Sequence, residues 1–312
     1  MISQLMTKIR QKNAPVVVGL DPQLSFIPGV LMKDAEHRVI GRSLYDEDME
    51  IASEAVWMFN REIIDSIADL VPAVKPQIAM YEQFGVSGMT AYLRTVRYCQ
   101  EKGLIVIGDV KRGDIGSTSE AYARAHLGSM RIRGHKVRAF DEDFATVNPY
   151  LGSDGIRPFI DVCNENDKGI FVLVKTSNPS SGEFQDILTQ DGRHLYEVVG
   201  SKVAEWGQLS MDGTYSNVGA VVGATYPEQA KTLRKLMPHT FILAPGYGAQ
   251  GATARDLAGF FDANGEGAIV NSSRGIIAAY QKERYARYGA ERFGEAARAA
   301  TIDMIEDLRA VL

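Results

Sequence analysis

Leu104-Ile105-Val106-Ile107-Gly108-Asp109-Val110-Lys111 runs apolar and then sets an acid and an amine two residues apart, just before Arg112-Gly113-Asp114. A strand with one face in water alternates apolar and polar residues. An unbroken apolar strand is buried on both faces, as in a parallel sheet covered by helices. The same pattern recurs at Pro15–Asp21, Ala73–Ile78, Phe144–Pro149, Gly169–Lys175, Val218–Gly223, Thr240–Pro245 and Gly267–Ser272. Amphipathic stretches rich in Ala, Glu and Arg lie between these runs, most clearly at Glu50–Ala68 and Tyr226–Met237. Strand then helix, eight times over, predicts an α/β fold of the TIM (β/α)8 barrel type, with residues 1–312 forming a single domain. A doubly wound open sheet would carry GxGxxG after its first strand. Here Gly19-Leu20-Asp21 is followed by Pro22-Gln23-Leu24. Two connections are long, Pro22–Pro72 between strands one and two and Thr176–Asn217 between strands five and six. Neither carries a set of strands, so both read as insertions on the barrel.

The chain has 312 residues, 45% apolar and 23% charged, with a formal net charge of -5. That balance suits a globular protein and repels nucleic acid, so an anionic ligand must be held by local cations and aimed backbone amides. Arg131-Ile132-Arg133-Gly134-His135-Lys136-Val137-Arg138 is basic but lacks interleaved aromatics, and reads as a solvated loop face. Cys99 and Cys163 have no CxxC or metal-ligand spacing, and His126, His135 and His194 have no partner at such spacing. No metal site is expected. The N-terminus lacks a charged segment followed by an apolar one, and no apolar run is long enough to cross a bilayer. A reduced, cytoplasmic setting without a membrane partner is the expectation.

Active sites of these barrels lie at the C-terminal ends of the strands. Residues two apart on a strand share a face, so Asp109 and Lys111 should project together there. A structural ion pair closing the barrel would have the same sequence. The other strand ends argue for more, because Asp21 ends the first run and Lys75 lies in the second, which brings four charges of both signs to adjacent strands. A lysine among carboxylates keeps its proton, and can donate it to carbon or stabilise negative charge there. Across the barrel, the seventh strand runs into Pro245-Gly246-Tyr247-Gly248-Ala249-Gln250-Gly251 and the eighth into Asn271-Ser272-Ser273-Arg274-Gly275. Barrels often bind phosphate with these two loops. Gly246, Gly248 and Gly251 would let backbone amides approach an anion, and Arg274 can offer a two-pronged contact. Thr176-Ser177-Asn178-Pro179 could read a polar ring, or could simply form a turn.

Together these segments resemble the orotidine 5'-phosphate decarboxylases, in particular the longer bacterial (type 2) members. The carriers are Val18-Gly19-Leu20-Asp21-Pro22, Lys75-Pro76-Gln77, Asp109-Val110-Lys111-Arg112-Gly113-Asp114-Ile115 and Val147-Asn148-Pro149-Tyr150-Leu151-Gly152, followed by the Thr176, Pro245 and Asn271 segments quoted above. The resemblance covers most of the chain. It implies a homodimer with active sites shared across the subunit interface. The charged array would be Lys75, Asp109, Lys111 and Asp114 of the partner subunit. Asp21 and Lys75 would bind ribose hydroxyls, Ser177 the pyrimidine, and Gln250 with Arg274 the phosphate, while Thr118 of the partner subunit would assist. Asn148 and the long 22–72 connection receive no role. The implied reaction is cofactor-free decarboxylation of orotidine 5'-monophosphate to UMP, with Lys111 protonating C6. Two alternatives are a Mg2+-dependent sugar-phosphate decarboxylase or aldolase of the same superfamily, which has an acidic residue where Lys75 stands, and a non-catalytic nucleotide-binding barrel.

Overall fold

The computed structural model describes residues 1–248 and 253–312. Eight parallel strands close into a barrel: β1 (Val16–Leu20), β2 (Ala73–Pro76), β3 (Ile105–Arg112), β4 (Phe144–Val147), β5 (Gly169–Lys175), β6 (Tyr215–Val222), β7 (Thr240–Pro245) and β8 (Ala268–Ser272). Each strand pairs with its neighbour in sequence, and Val16–Val18 of β1 pair with Val270–Ser272 of β8 to close the ring. The unbroken apolar runs have a direct cause. Val17, Ile105, Ile107, Phe171, Leu243 and Ile269 fill the barrel, while Val16, Val18, Val106, Val172 and Val270 pack outward against the helices.

The floor of the barrel is closed by an element that the strand pattern does not announce. Helix Ile2–Lys12 places Met1, Ile2, Leu5 and Met6 against the inner cluster. Its chain turns back through Asn13 at φ 48, a left-handed position that Asn tolerates better than most residues. The 22–72 connection carries helices Gly29–Val39 and Glu47–Ile67. The second begins a turn before the predicted start because the Asp46 carboxylate accepts from the Met49 amide, and Glu47, Asp48 and Glu50 suit the helix dipole. The 176–214 connection carries helix Leu195–Gly207 and a two-residue strand, Met211–Asp212, antiparallel to the start of β6. This pairing extends β6 back to Tyr215. The basic stretch departs from the expected loop: Met130–Ile132 and His135–Val137 form an exposed antiparallel hairpin. Arg133 and Gly134 both have positive φ, which matches the tight turn that two-residue hairpins favour. Among the described residues no helix is long and apolar enough to cross a membrane.

Candidate active site

At the C-terminal ends of the strands lie two joined lobes that share Lys75, Asp109 and Pro245. One, of about 340 Å³, is bordered by Asp21, Gly246, Tyr247, Asn271, Ser273 and Arg274. The other, of about 350 Å³, is bordered by Lys111, Thr146, Leu173, Thr176, Ser177 and Val221. Asp109 stands where they meet.

The Asp109 carboxylate is 7% exposed and accepts from four donors. Lys75 Nζ and Gln77 Nε2 reach Oδ2 at 2.5 and 2.9 Å, while Lys111 Nζ and the Thr146 hydroxyl reach Oδ1 at 2.5 and 3.1 Å. Burial works against its charged form, but the Lys75 and Lys111 ammoniums outweigh burial and hold the carboxyl far below the usual carboxylate range. For Lys75, likewise, burial disfavours charge, yet Asp109 and Asp21 raise its pKa above the ordinary value. Lys75 is enclosed at 4% exposure, whereas the Lys111 side chain is 46% exposed and meets the cleft.

Strand alternation is not what brings Asp109 and Lys111 together. Gly108 pairs with Ala145 and Arg112 with Val147, so β3 bulges between these points, and Lys111 has φ 44. The Thr146 hydroxyl holds the bulge by accepting from the Val110 and Lys111 amides, at 3.0 and 2.9 Å, while donating to Asp109. Bulges redirect side chains beside active sites. This one aims an ammonium back over the carboxylate.

Removing the carboxylate's charge should be felt in stability as well as chemistry. Asp109→Asn is expected to destabilise the fold by about 3–5 kcal/mol, because it takes from the buried Lys75 ammonium its hydrogen-bonded counter-ion and leaves only Asp21 to offset the charge. A depressed carboxyl pKa contributes stability above the unfolded value that is lost as pH falls through the folded one. A raised ammonium pKa contributes below the unfolded value, ordinarily 10.5, and loses that share only as pH climbs beyond it. Denaturant unfolding of both proteins from about pH 9 to about pH 3 should therefore give a constant gap near neutrality that narrows in acid. A gap of the same size throughout would contradict this account.

The first lobe presents polar acceptors and cations side by side. Asp21 Oδ1 and Asn271 Oδ1 are buried acceptors with no hydrogen-bond partner among the described residues. Arg274 opens the short helix Arg274–Ile277 and is exposed at the lobe's edge. Lys282 stands nearby, its pKa held below the ordinary value by burial and by the Arg274 charge. Gly246 and Gly248 have φ 112 and 71, values that favour glycine. Gln250 and Gly251 lie outside the described residues. Asp114 and Thr118 border neither lobe within their own chain. The Asp114 carboxylate accepts from the Ile115 amide at 2.8 Å, and Thr118 is exposed on helix Gly116–His126. Ile115, next to Asp114 in the chain, is an exposed apolar side chain, and so are Tyr150 and Leu151 in the loop after β4.

Thr146 and Lys282 were not singled out by sequence, and Gln77 and Asn271 were quoted only within their motifs, without a role. Gln77 follows Lys75 by two residues, and alternation could have found it. Thr146 sits inside an apolar strand, where threonine is an ordinary strand former. His126, by contrast, is a satisfied core histidine, buried with Nδ1 3.0 Å from Glu142.

Residues 15–288 match the family described as Orotidine 5'-phosphate decarboxylase / HUMPS. The orotidine 5'-phosphate decarboxylase of Rhodopirellula baltica is 45% identical over 309 residues, covering 98% of each chain. The chain belongs to the orotidine 5'-phosphate decarboxylase family. A second family member, from Caldicellulosiruptor bescii, is 44% identical over 283 residues and covers 89% of each chain. The solved structure of Leishmania donovani OMP decarboxylase aligns with a TM-score of 0.72 at 27% identity, covering 99% of this chain and 98% of that one. Near-complete coverage of the Rhodopirellula relative means that the long connections are shared with this bacterial branch rather than peculiar to one chain.

Proposed function

We propose that the chain decarboxylates orotidine 5'-monophosphate to UMP and CO2 in de novo pyrimidine biosynthesis, a carboxy-lyase reaction carried out by side chains alone. The observation that carries this reading is the Asp109 carboxylate, fixed between the Lys75 and Lys111 ammoniums where the two lobes meet. The pyrimidine would occupy the lobe of Lys111, Thr146 and Ser177, and the ribose the junction beside Asp21 and Lys75. The phosphate would lie toward Arg274, Gly246 and Gly248, with Gln250 and Gly251 completing that grip. The C6–carboxylate bond breaks with its electron pair left on C6, and CO2 departs on the Asp109 side. Lys111 Nζ delivers a proton to C6 and regains one from water. Attraction between the fixed ammonium and charge growing on carbon is the larger source of acceleration, because the donor is already in place before charge develops. Phosphate binding energy, gained away from the reacting carbon, helps to hold the ring in register.

The subunit arrangement follows the same reading. Asp114 and Thr118 border neither lobe of their own chain, and exposed Ile115 lies between them in sequence, as would suit residues serving a neighbouring copy. A homodimer with shared sites, working in the cytoplasm as one barrel domain per chain, is therefore proposed. A Mg2+-dependent sugar-phosphate reading needs an acid where Lys75 stands, and an ammonium there repels the cation. A non-catalytic nucleotide binder has no use for a buried carboxylate clamped by two ammoniums. The test is loss of orotidine monophosphate absorbance with purified protein, with and without EDTA. An unchanged rate under chelation is expected. A rate that falls with EDTA and returns with Mg2+ would overturn the cofactor-free reading, and no turnover at all would favour the binding module.

A further inference from the structure

Lys175 ends β5, and its side chain is fully buried although the proposed chemistry does not use it. Leu173 pairs with Val221 and Lys175 with Val222, so β5 has one extra residue there. Leu173 and Thr176 border the Lys111 lobe, whereas Lys175 does not. Its ammonium instead donates to Asp186 Oδ1 at 2.6 Å and to the Ser181 hydroxyl at 3.3 Å. The Tyr226 ring lies 4.5 Å away and the Tyr196 ring 5.7 Å away. The next pair along the chain is tied in parallel. Gln185 Oε1 accepts from the Thr176 amide and Gln185 Nε2 donates to the Thr176 hydroxyl, both at 2.9 Å. Thr176 in turn donates to Asn178 Oδ1 at 2.6 Å. From the other side, β6 presses on the same loop. The Gly223 amide donates to the Lys175 carbonyl at 2.7 Å, and a Cβ on Gly223 would come within 2.9 Å of Ser177 Cα.

A buried ion pair is weak support for stability, since apolar side chains of similar volume often serve as well. What the pair supplies here is geometry. Asp186 and Gln185, neighbours on the insertion, grip Lys175 and Thr176, neighbours at the strand end, and Ser177 is the next residue into the cleft. We infer that Lys175 is a positioning residue, which through Asp186 and alongside the Gln185–Thr176 clamp fixes Ser177 against the pyrimidine. This rests on the reading above that Ser177 contacts the ring.

The experiment is a double-mutant cycle on kcat/KM, using Ser177→Ala, Lys175→Met and the two combined. Lys175→Met keeps much of the side-chain volume, and its removal leaves Asp186 able to turn to solvent. Each single change is expected to lower kcat/KM by roughly tenfold, the scale of one well-placed hydrogen bond to a charged or developing-charge substrate. The double variant should be no slower than Ser177→Ala alone, within about twofold, because the clamp acts only through that hydroxyl. Multiplying losses, to roughly a hundredfold, would overturn the positioning role and leave Lys175 a packing residue. If Ser177→Ala has no effect while turnover persists, the Ser177 contact itself fails and takes this inference with it. Gln185→Ala, at a half-buried position, repeats the cycle should Lys175→Met not fold, with the same two outcomes deciding.

Discussion

Lys111→Ala is expected to lower turnover by at least about 10⁴-fold while UMP affinity stays within about threefold of the parent, because proton donation and electrostatic stabilisation are lost together. Both act in the transition state, so their loss falls on kcat rather than on product binding. The geometry makes the substitution clean. Lys111 is the outer, half-exposed member of the pair, and Asp109 would keep Lys75, Gln77 and Thr146 as donors. The Arg274 lobe does not include Lys111, so the residues of the proposed phosphate grip are untouched. Lys111→Arg should not rescue the reaction. It restores charge, but guanidinium is a poor proton donor near neutral pH and its planar fork differs in shape from an ammonium. Steady-state rates with a UMP titration on the same samples check both halves. Activity within tenfold of the parent would remove Lys111 as the donor, and a comparable loss of UMP affinity would make it a binding residue instead.

The reason Lys111 is so placed was not legible in the sequence, although its presence was. Eight strands could be read because each is buried on both faces, and apolar runs such as Gly169–Lys175 and Thr240–Pro245 are found with the same bounds in the fold. Alternation then put Asp109 and Lys111 on one face. The contact is real, but its cause is a bulge held by Thr146 and a left-handed Lys111, and neither has a period to detect. Elements decided by packing at the barrel ends were equally silent. Helix Ile2–Lys12 is amphipathic, yet nothing local says that its apolar face closes a barrel floor. The hairpin at 130–137 is three residues per strand and almost wholly exposed, so it leaves no hydrophobic pattern, and only Arg133-Gly134 hints at its turn. The donors around Asp109 show the limit most clearly. Lys75 was visible as a charge in an apolar strand and Gln77 could be reached from it by alternation, whereas Thr146 became meaningful only when three strands met.

Mixing inactive Lys111→Ala and Asp114→Ala subunits is expected to restore activity to about a quarter of the parent, the yield of random pairing in a two-fold dimer. A heterodimer contains one site with Lys111 from the Asp114→Ala subunit and Asp114 from its Lys111→Ala partner, and that site is intact. The other site lacks both residues. Equal mixing places about half the protein in heterodimers with one working site of two. The isolated chain gives the motive for the experiment. Asp114 lies three residues beyond Lys111, borders neither lobe, and accepts with its carboxylate from the Ile115 amide. Exposed Ile115 follows it in the chain, and under the proposed dimer the Asp114 carboxylate would serve the neighbouring copy rather than its own cleft. Recovery should appear only after subunits have exchanged, and should follow the heterodimer fraction as the mixing ratio is varied. If exchange is confirmed by mass or by tagged copurification and no activity returns, Asp114 does not act across subunits. If Asp114→Ala homodimers retain full activity alone, the charged array is complete within one chain.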